Sequence, residues 1–67
     1  MRNDAQTYDI AIKLIDDTLK ATKFKSLDYD TALELAEGIY NGTMPHEDWA
    51  GIVVIDNNGD IDNELEW

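Results

Sequence analysis

A hairpin signal in the last quarter of the sequence constrains the fold more than any other feature. Four consecutive β-branched residues, 52–55, follow Gly51 and are typical of a strand. The Asn58-Gly59 pair then favours a tight turn, and the residues after it alternate between acidic and apolar types. We therefore predict one strand over 52–55 and a second over 60–67, joined as an antiparallel hairpin.

Two helices are predicted before this hairpin. In the segment 4–23, apolar residues recur at helical spacing at Tyr8, Ile12, Ile15 and Leu19. Within that helix, two acids would each pair with a lysine four residues later, Asp9 with Lys13 and Asp16 with Lys20, while Asn3 or Asp4 would cap its start. The helix would then neutralise its own charge.

The second predicted helix begins after Asp28, which serves as the N-cap residue. It ends at Asn41-Gly42, where a left-handed residue would terminate it. The fold class expected is α+β, with two N-terminal α-helices packed on a C-terminal antiparallel β-hairpin in a single domain over 1–67. A two-stranded hairpin is marginal alone, so a third strand, from 1–8 or from a second molecule, is left open.

Charge is distributed very unevenly along the chain. All five lysines and arginines lie in the first 25 residues, where four acids leave a net charge of 5 − 4 = +1. Residues 26–67 contain eleven acids and no base, for a net charge of −11. A negative charge of this size serves solubility or attracts a cationic partner. It argues against direct binding to nucleic acid or to acidic lipid.

The acids fall into two arrays. Asp30, Glu34 and Glu37 share one face of the second predicted helix, and no base on that helix offsets them. In the last predicted strand, alternate residues would place acidic side chains on one face, about 6.8 Å apart, a step close to the separation of successive phosphates in a nucleic-acid strand. The simpler interpretation is a solvated edge strand whose charge prevents pairing with other sheets. The candidate partner-binding acids are Asp30, Glu34, Glu37, Asp56, Asp60, Asp62, Glu64 and Glu66.

The sequence offers little for catalysis or metal binding. It has no cysteine, a single histidine, His46, and a single serine, Ser26, so neither a nucleophile–base pair nor a multi-histidine metal site can be assembled. The hairpin turn resembles the start of an EF-hand calcium loop, but Ile61 replaces the required glycine and Trp67 the required glutamate. We therefore predict a protein that is not an enzyme and has no metal or cofactor.

Trp49 and Trp67 flank the predicted hairpin. They either close the small core between hairpin and helices or serve as exposed aromatic anchors at a partner surface. Both interpretations stay open at the level of sequence. The longest strongly apolar run, 52–55, is far too short to span a bilayer, and the sequence begins without a signal-type leader, so a cytoplasmic protein is expected.

In its size, its lack of cysteine and the acidity of residues 26–67, the chain resembles the small DNA-mimic inhibitors of phages and mobile elements, of the anti-CRISPR and anti-restriction type. That resemblance implies an acidic inhibitor that binds a basic nucleic-acid-binding protein or complex, as a monomer or homodimer. One alternative is a non-catalytic interaction or accessory module whose acidity serves solubility. Another is an immunity-like or antitoxin-like protein that neutralises a basic toxin.

Overall fold

The computed structural model describes residues 6–67 and contains one helix and four strands. In chain order these are β1 (Tyr8–Leu14), β2 (Leu19–Ala21), α1 (Tyr29–Gly42), β3 (Trp49–Asp56) and β4 (Ile61–Glu66). The strands form one antiparallel sheet in the order β2-β1-β3-β4. The helix packs against β1, β3 and β4, so the domain has two layers.

The predicted first helix does not exist, and the fold of two helices on a hairpin is therefore wrong. Most of the segment 4–23 forms β1, a turn and β2. The apolar residues of β1 also alternate with Asp9, Ala11 and Lys13, which is the period of a strand, and β1 pairs with β3 along its whole length. The predicted caps, Asn3 and Asp4, lie outside the described residues.

A tight turn replaces the middle of that predicted helix. The Asp16 carboxylate accepts hydrogen bonds from the hydroxyl and the backbone N–H of Thr18, at 2.6 and 3.1 Å. These hydrogen bonds hold the pKa of Asp16 below its ordinary value, and the one from the hydroxyl has the larger effect. Asp17 adopts a positive φ of 71°, a conformation that aspartate tolerates better than most residues.

The second predicted helix and the hairpin are present. α1 begins where predicted, with Asp28 as the N-cap residue whose carboxylate accepts the N–H of Thr31. The helix ends at Gly42, and the next residue, Thr43, is extended. Neither Asn41 nor Gly42 adopts a left-handed conformation, so the predicted left-handed terminator is wrong. In the hairpin, β3 begins at Trp49, three residues earlier than predicted, because its first residues pair with the end of β1.

The core lies between α1 and the two central strands. Its fully buried members are Ile10 on β1, Ile52 and Val54 on β3, and Ala32 and Ala36 on α1. The two alanines are one helical turn apart, and their small side chains let the helix backbone approach the sheet closely. On the opposite face of the sheet, Ala11 and Val53 are also buried.

Gly51 on β3 is the point of closest approach between neighbouring backbones. A Cβ atom at this position would lie 2.5 Å from the carbonyl oxygen of Leu65 and 3.2 Å from the Cα atom of Glu66. Both contacts are with the backbone of β4, which is held in place by the β3–β4 ladder. A side chain at position 51 would therefore force the two strands apart.

Candidate protein-binding edge of the sheet

β4 is an edge strand with several exposed acidic residues. Among residues 6–67 it pairs only with β3, because the strand order ends at β4. Its acidic residues and the one just before it are all exposed; they are Asp60, Asp62, Glu64 and Glu66. The fold thus places four carboxylates along one free border of the domain.

A β-bulge interrupts the predicted alternation along β4. Ile61 pairs with Ile55 and Asn63 with Val54, so Asp62 is an extra residue in the ladder. Residues directly opposite each other place their side chains on the same face of the sheet. Val54 faces α1, so its neighbours Val53 and Ile55 face the other way. Their partners Glu64 and Ile61 therefore lie on the face away from α1. The four acids therefore do not form a single ladder, contrary to the sequence-based expectation.

Asp62 lies close enough to β1 to influence a tyrosine there. The pKa of Tyr8 is raised, first by partial burial and next by the negative charges of Asp62 and Asp56. Tyr8 packs against the core on the α1 side of the sheet. Glu64 belongs to the open face, because it pairs with Val53.

An ion pair neutralises one of the β4 acids. The Lys13 ammonium donates a hydrogen bond of 2.8 Å to the Glu64 carboxylate, crossing β3 from β1 to β4. The two side chains are only 24% and 30% exposed. The shared hydrogen bond raises the pKa of Lys13 and lowers that of Glu64. Sequence reasoning missed this pair, because it placed Lys13 on a helix beside Asp9.

The ion pair predicts a pH-dependent contribution of Glu64 to stability. Since its pKa is lowered in the folded state, the contribution should be complete above about 4.3, the ordinary pKa of glutamate, and be lost as pH falls through the lower folded value. Urea midpoints of the wild type and Glu64→Gln should differ near neutral pH and converge in acid. Glu34→Gln, which removes an exposed charge from α1, is the control. A midpoint difference that does not change with pH would contradict the assignment.

The acidic array of α1 does not lie along the border formed by β4. The helix begins beside β1, because Leu27 pairs with Tyr8 and the rings of Tyr8 and Tyr29 are 5.1 Å apart. Only the end of the helix reaches β4, where the Tyr40 hydroxyl donates to the backbone carbonyl of Glu66 at 2.7 Å. The exposed acids Asp30, Glu34 and Glu37 therefore form a separate row on α1. We call the border formed by β4 the anionic edge, consisting of Asp60, Asp62, Glu64 and Glu66.

Asp56, the remaining predicted partner-binding acid, has a structural role in the β3–β4 turn. One of its carboxylate oxygens accepts the backbone N–H groups of Asn58 and Asp60, each at 2.9 Å. Gly59, with φ of 90°, completes the turn. Within residues 6–67, no cluster of three or more histidine or acidic side chains is arranged to hold a metal ion.

The two tryptophans pack on each other at the end of the domain where α1 stops. The Trp67 ring is stacked between Tyr40, at a centroid distance of 5.6 Å, and Trp49, at 5.9 Å. Its indole N–H donates to the Tyr40 carbonyl oxygen at 3.2 Å. All three residues are half-buried, and these contacts favour the interpretation that the tryptophans close the core.

Comparison with known proteins leaves this edge to be interpreted from its own geometry. No protein family, curated protein or solved structure that was compared with the chain matches it. Across residues 6–67, no helix is both long enough and apolar enough to cross a membrane.

Proposed function

We propose that this chain is a non-enzymatic binding protein whose anionic edge occupies a basic, nucleic-acid-binding surface of a partner protein. The observation that supports the proposal is the concentration of four carboxylates on one edge, of which only Glu64 forms an ion pair within residues 6–67. Surfaces that bind nucleic acid present lysines and arginines to phosphates, and carboxylates are the other anionic group that these side chains bind well.

Spacing and rigidity favour mimicry of a phosphate backbone. Glu64 and Glu66 lie on one face of a strand, about 6.8 Å apart. This step is close to the separation of successive phosphates, roughly twice the 3.4 Å axial advance per charge of one strand. Because the carboxylates are carried by a sheet, less ordering entropy is lost on binding than with a flexible acidic tail.

The inhibitor form of this proposal would block a CRISPR or restriction complex by competing with its nucleic acid. A field of one sign along the edge would speed the encounter with a basic cleft and make the association salt-dependent. The residues to substitute in a test are Asp60, Asp62 and Glu66, because removing Glu64 would also break its ion pair with Lys13.

The experiment is affinity capture from lysate of the encoding organism, at low and moderate salt, followed by elution with a short DNA or RNA duplex. We expect a basic nucleic-acid-binding protein that the duplex displaces. A rise from 50 to 200 mM salt should weaken capture by on the order of tenfold or more. The variant Asp60→Asn/Asp62→Asn/Glu66→Gln should lose capture.

A matched control removes the same number of charges elsewhere, with Asp17→Asn/Glu47→Gln/Asp48→Asn. This control should retain capture of the same protein. Capture that is indifferent to salt, to the duplex and to the edge variant would refute mimicry and favour an accessory module whose acidity serves solubility.

A further inference from the structure

A second charged edge lies on the other side of the sheet. β2 and the segment after it carry Lys20, Lys23 and Lys25, all exposed, and none forms an ion pair within residues 6–67. We call these three lysines the basic edge. Because the strand order is β2-β1-β3-β4, the basic edge and the anionic edge occupy opposite borders of the same sheet.

The two edges are complementary to each other but not to themselves. Two anionic edges, or two basic edges, would bring like charges together, which disfavours a symmetric dimer through either border. A basic edge placed against an anionic edge brings opposite charges together.

We propose that the basic edge of one molecule docks on the anionic edge of a second copy, in a head-to-tail arrangement. The net charge of −10 opposes association. At physiological ionic strength, however, charges are screened beyond about 8 Å, and the domain measures 44 by 23 by 17 Å. Only the contacting edges then interact strongly, and these carry opposite charges.

The contact is made by side chains and is reversible. The Tyr40 hydroxyl already occupies the Glu66 carbonyl, and the bulge at Asp62 interrupts the strand, so β4 is a poor template for an added strand. A head-to-tail contact uses different surfaces on the two molecules and leaves both outer edges free. Association therefore continues beyond the dimer as protein concentration rises.

Sedimentation equilibrium over a range of protein and salt concentrations tests this arrangement. The average mass should rise with protein concentration without stopping at a dimer. It should be largest at intermediate salt, since net repulsion dominates at low salt and screening removes the attraction at high salt. A monomer under all conditions, or a mass that stops at a dimer, would overturn the proposal.

Charge exchange makes the test specific. Variant A carries Lys20→Glu/Lys23→Glu/Lys25→Glu, and variant B carries Asp60→Lys/Asp62→Lys/Glu66→Lys, which leaves Glu64 paired with Lys13. Each variant alone should associate at least about tenfold more weakly than the wild type. An equimolar mixture should associate again, because the contacts between the edges of A and B join opposite charges.

Variant B also separates edge complementarity from overall charge. Its net charge is −10 + 6 = −4, so net repulsion alone would make it associate more strongly than the wild type. Stronger association of B, or a mixture that stays monomeric while circular dichroism shows both variants folded, would refute the edge contact. Variant A keeps the anionic edge intact and should still capture the basic partner, so the two proposals can fail separately.

Discussion

Replacement of Gly51 by alanine should lower the free energy of unfolding by about 1–3 kcal/mol, the usual cost of forcing an atom into a packed site. The added Cβ atom would meet two backbone atoms of β4, neither of which can move without disturbing the ladder. A domain of 67 residues has a total stability of about 5 kcal/mol, so a large fraction of that stability would be lost. The urea midpoint, followed by circular dichroism, measures the effect.

Gly38→Ala is the matched control for this substitution. Gly38 lies on the exposed side of α1, and a Cβ atom there would have no neighbour within 4 Å. Since alanine favours a helix over glycine by about 0.5–1 kcal/mol, this variant should be more stable than the wild type. Equal midpoints for Gly51→Ala and the wild type would show that β3 and β4 are not as close as described.

Replacement of Trp67 by alanine should lower the free energy of unfolding by about 2–4 kcal/mol, less than the full cost for a completely buried tryptophan. The substitution removes two stacked contacts and the hydrogen bond to the Tyr40 carbonyl oxygen, which together join β4 to the end of α1. Thermal unfolding followed by circular dichroism provides the measurement.

Trp67→Phe keeps an aromatic ring in the stack but loses the indole N–H, so its melting temperature should fall between those of the wild type and Trp67→Ala. If Trp67→Ala melts at the wild-type temperature, the stack contributes nothing to the fold. Trp67 would then be available as the partner-surface anchor that the sequence left open.

The parts of the fold that depend on near neighbours could be predicted from the sequence. The N-cap at Asp28, the helix after it and the Asn58-Gly59 hairpin all follow from residues close together in the chain. The segment 4–23 could not be assigned in the same way, because its apolar residues fit a helical period as well as an alternating one. Pairing of β1 with β3, which lies beyond α1, decides between them.

The candidate site was predictable in its residue types but not in its geometry. The acids of β4 and α1 are evident from composition and spacing, but only the end of α1 reaches β4, through Tyr40, whereas its start lies beside β1. The bulge at Asp62 and the ion pair between Lys13 and Glu64 depend on register between strands, which the sequence of one strand does not contain. These two features decide which acids remain available to a partner.

The two proposed interactions would use the same surface. A molecule whose anionic edge is covered by a second copy cannot present that edge to a basic partner, so the two associations would compete. A partner that binds more tightly than the basic edge would separate the copies and release one free edge for each molecule bound.

The strand order also determines how the chain can reach this structure. β1 with β2 and β3 with β4 are local hairpins, whereas the central pair joins β1 to β3 across α1. Even the closest partners in that pair, Leu14 and Trp49, are 49 − 14 = 35 residues apart. Closing so long a loop costs entropy before the contacts can compensate, and it gives the fold a high contact order for its size. The contacts within each hairpin can therefore form early, but the hairpins are stabilised only when the two halves of the chain meet and the core between α1 and the central strands forms.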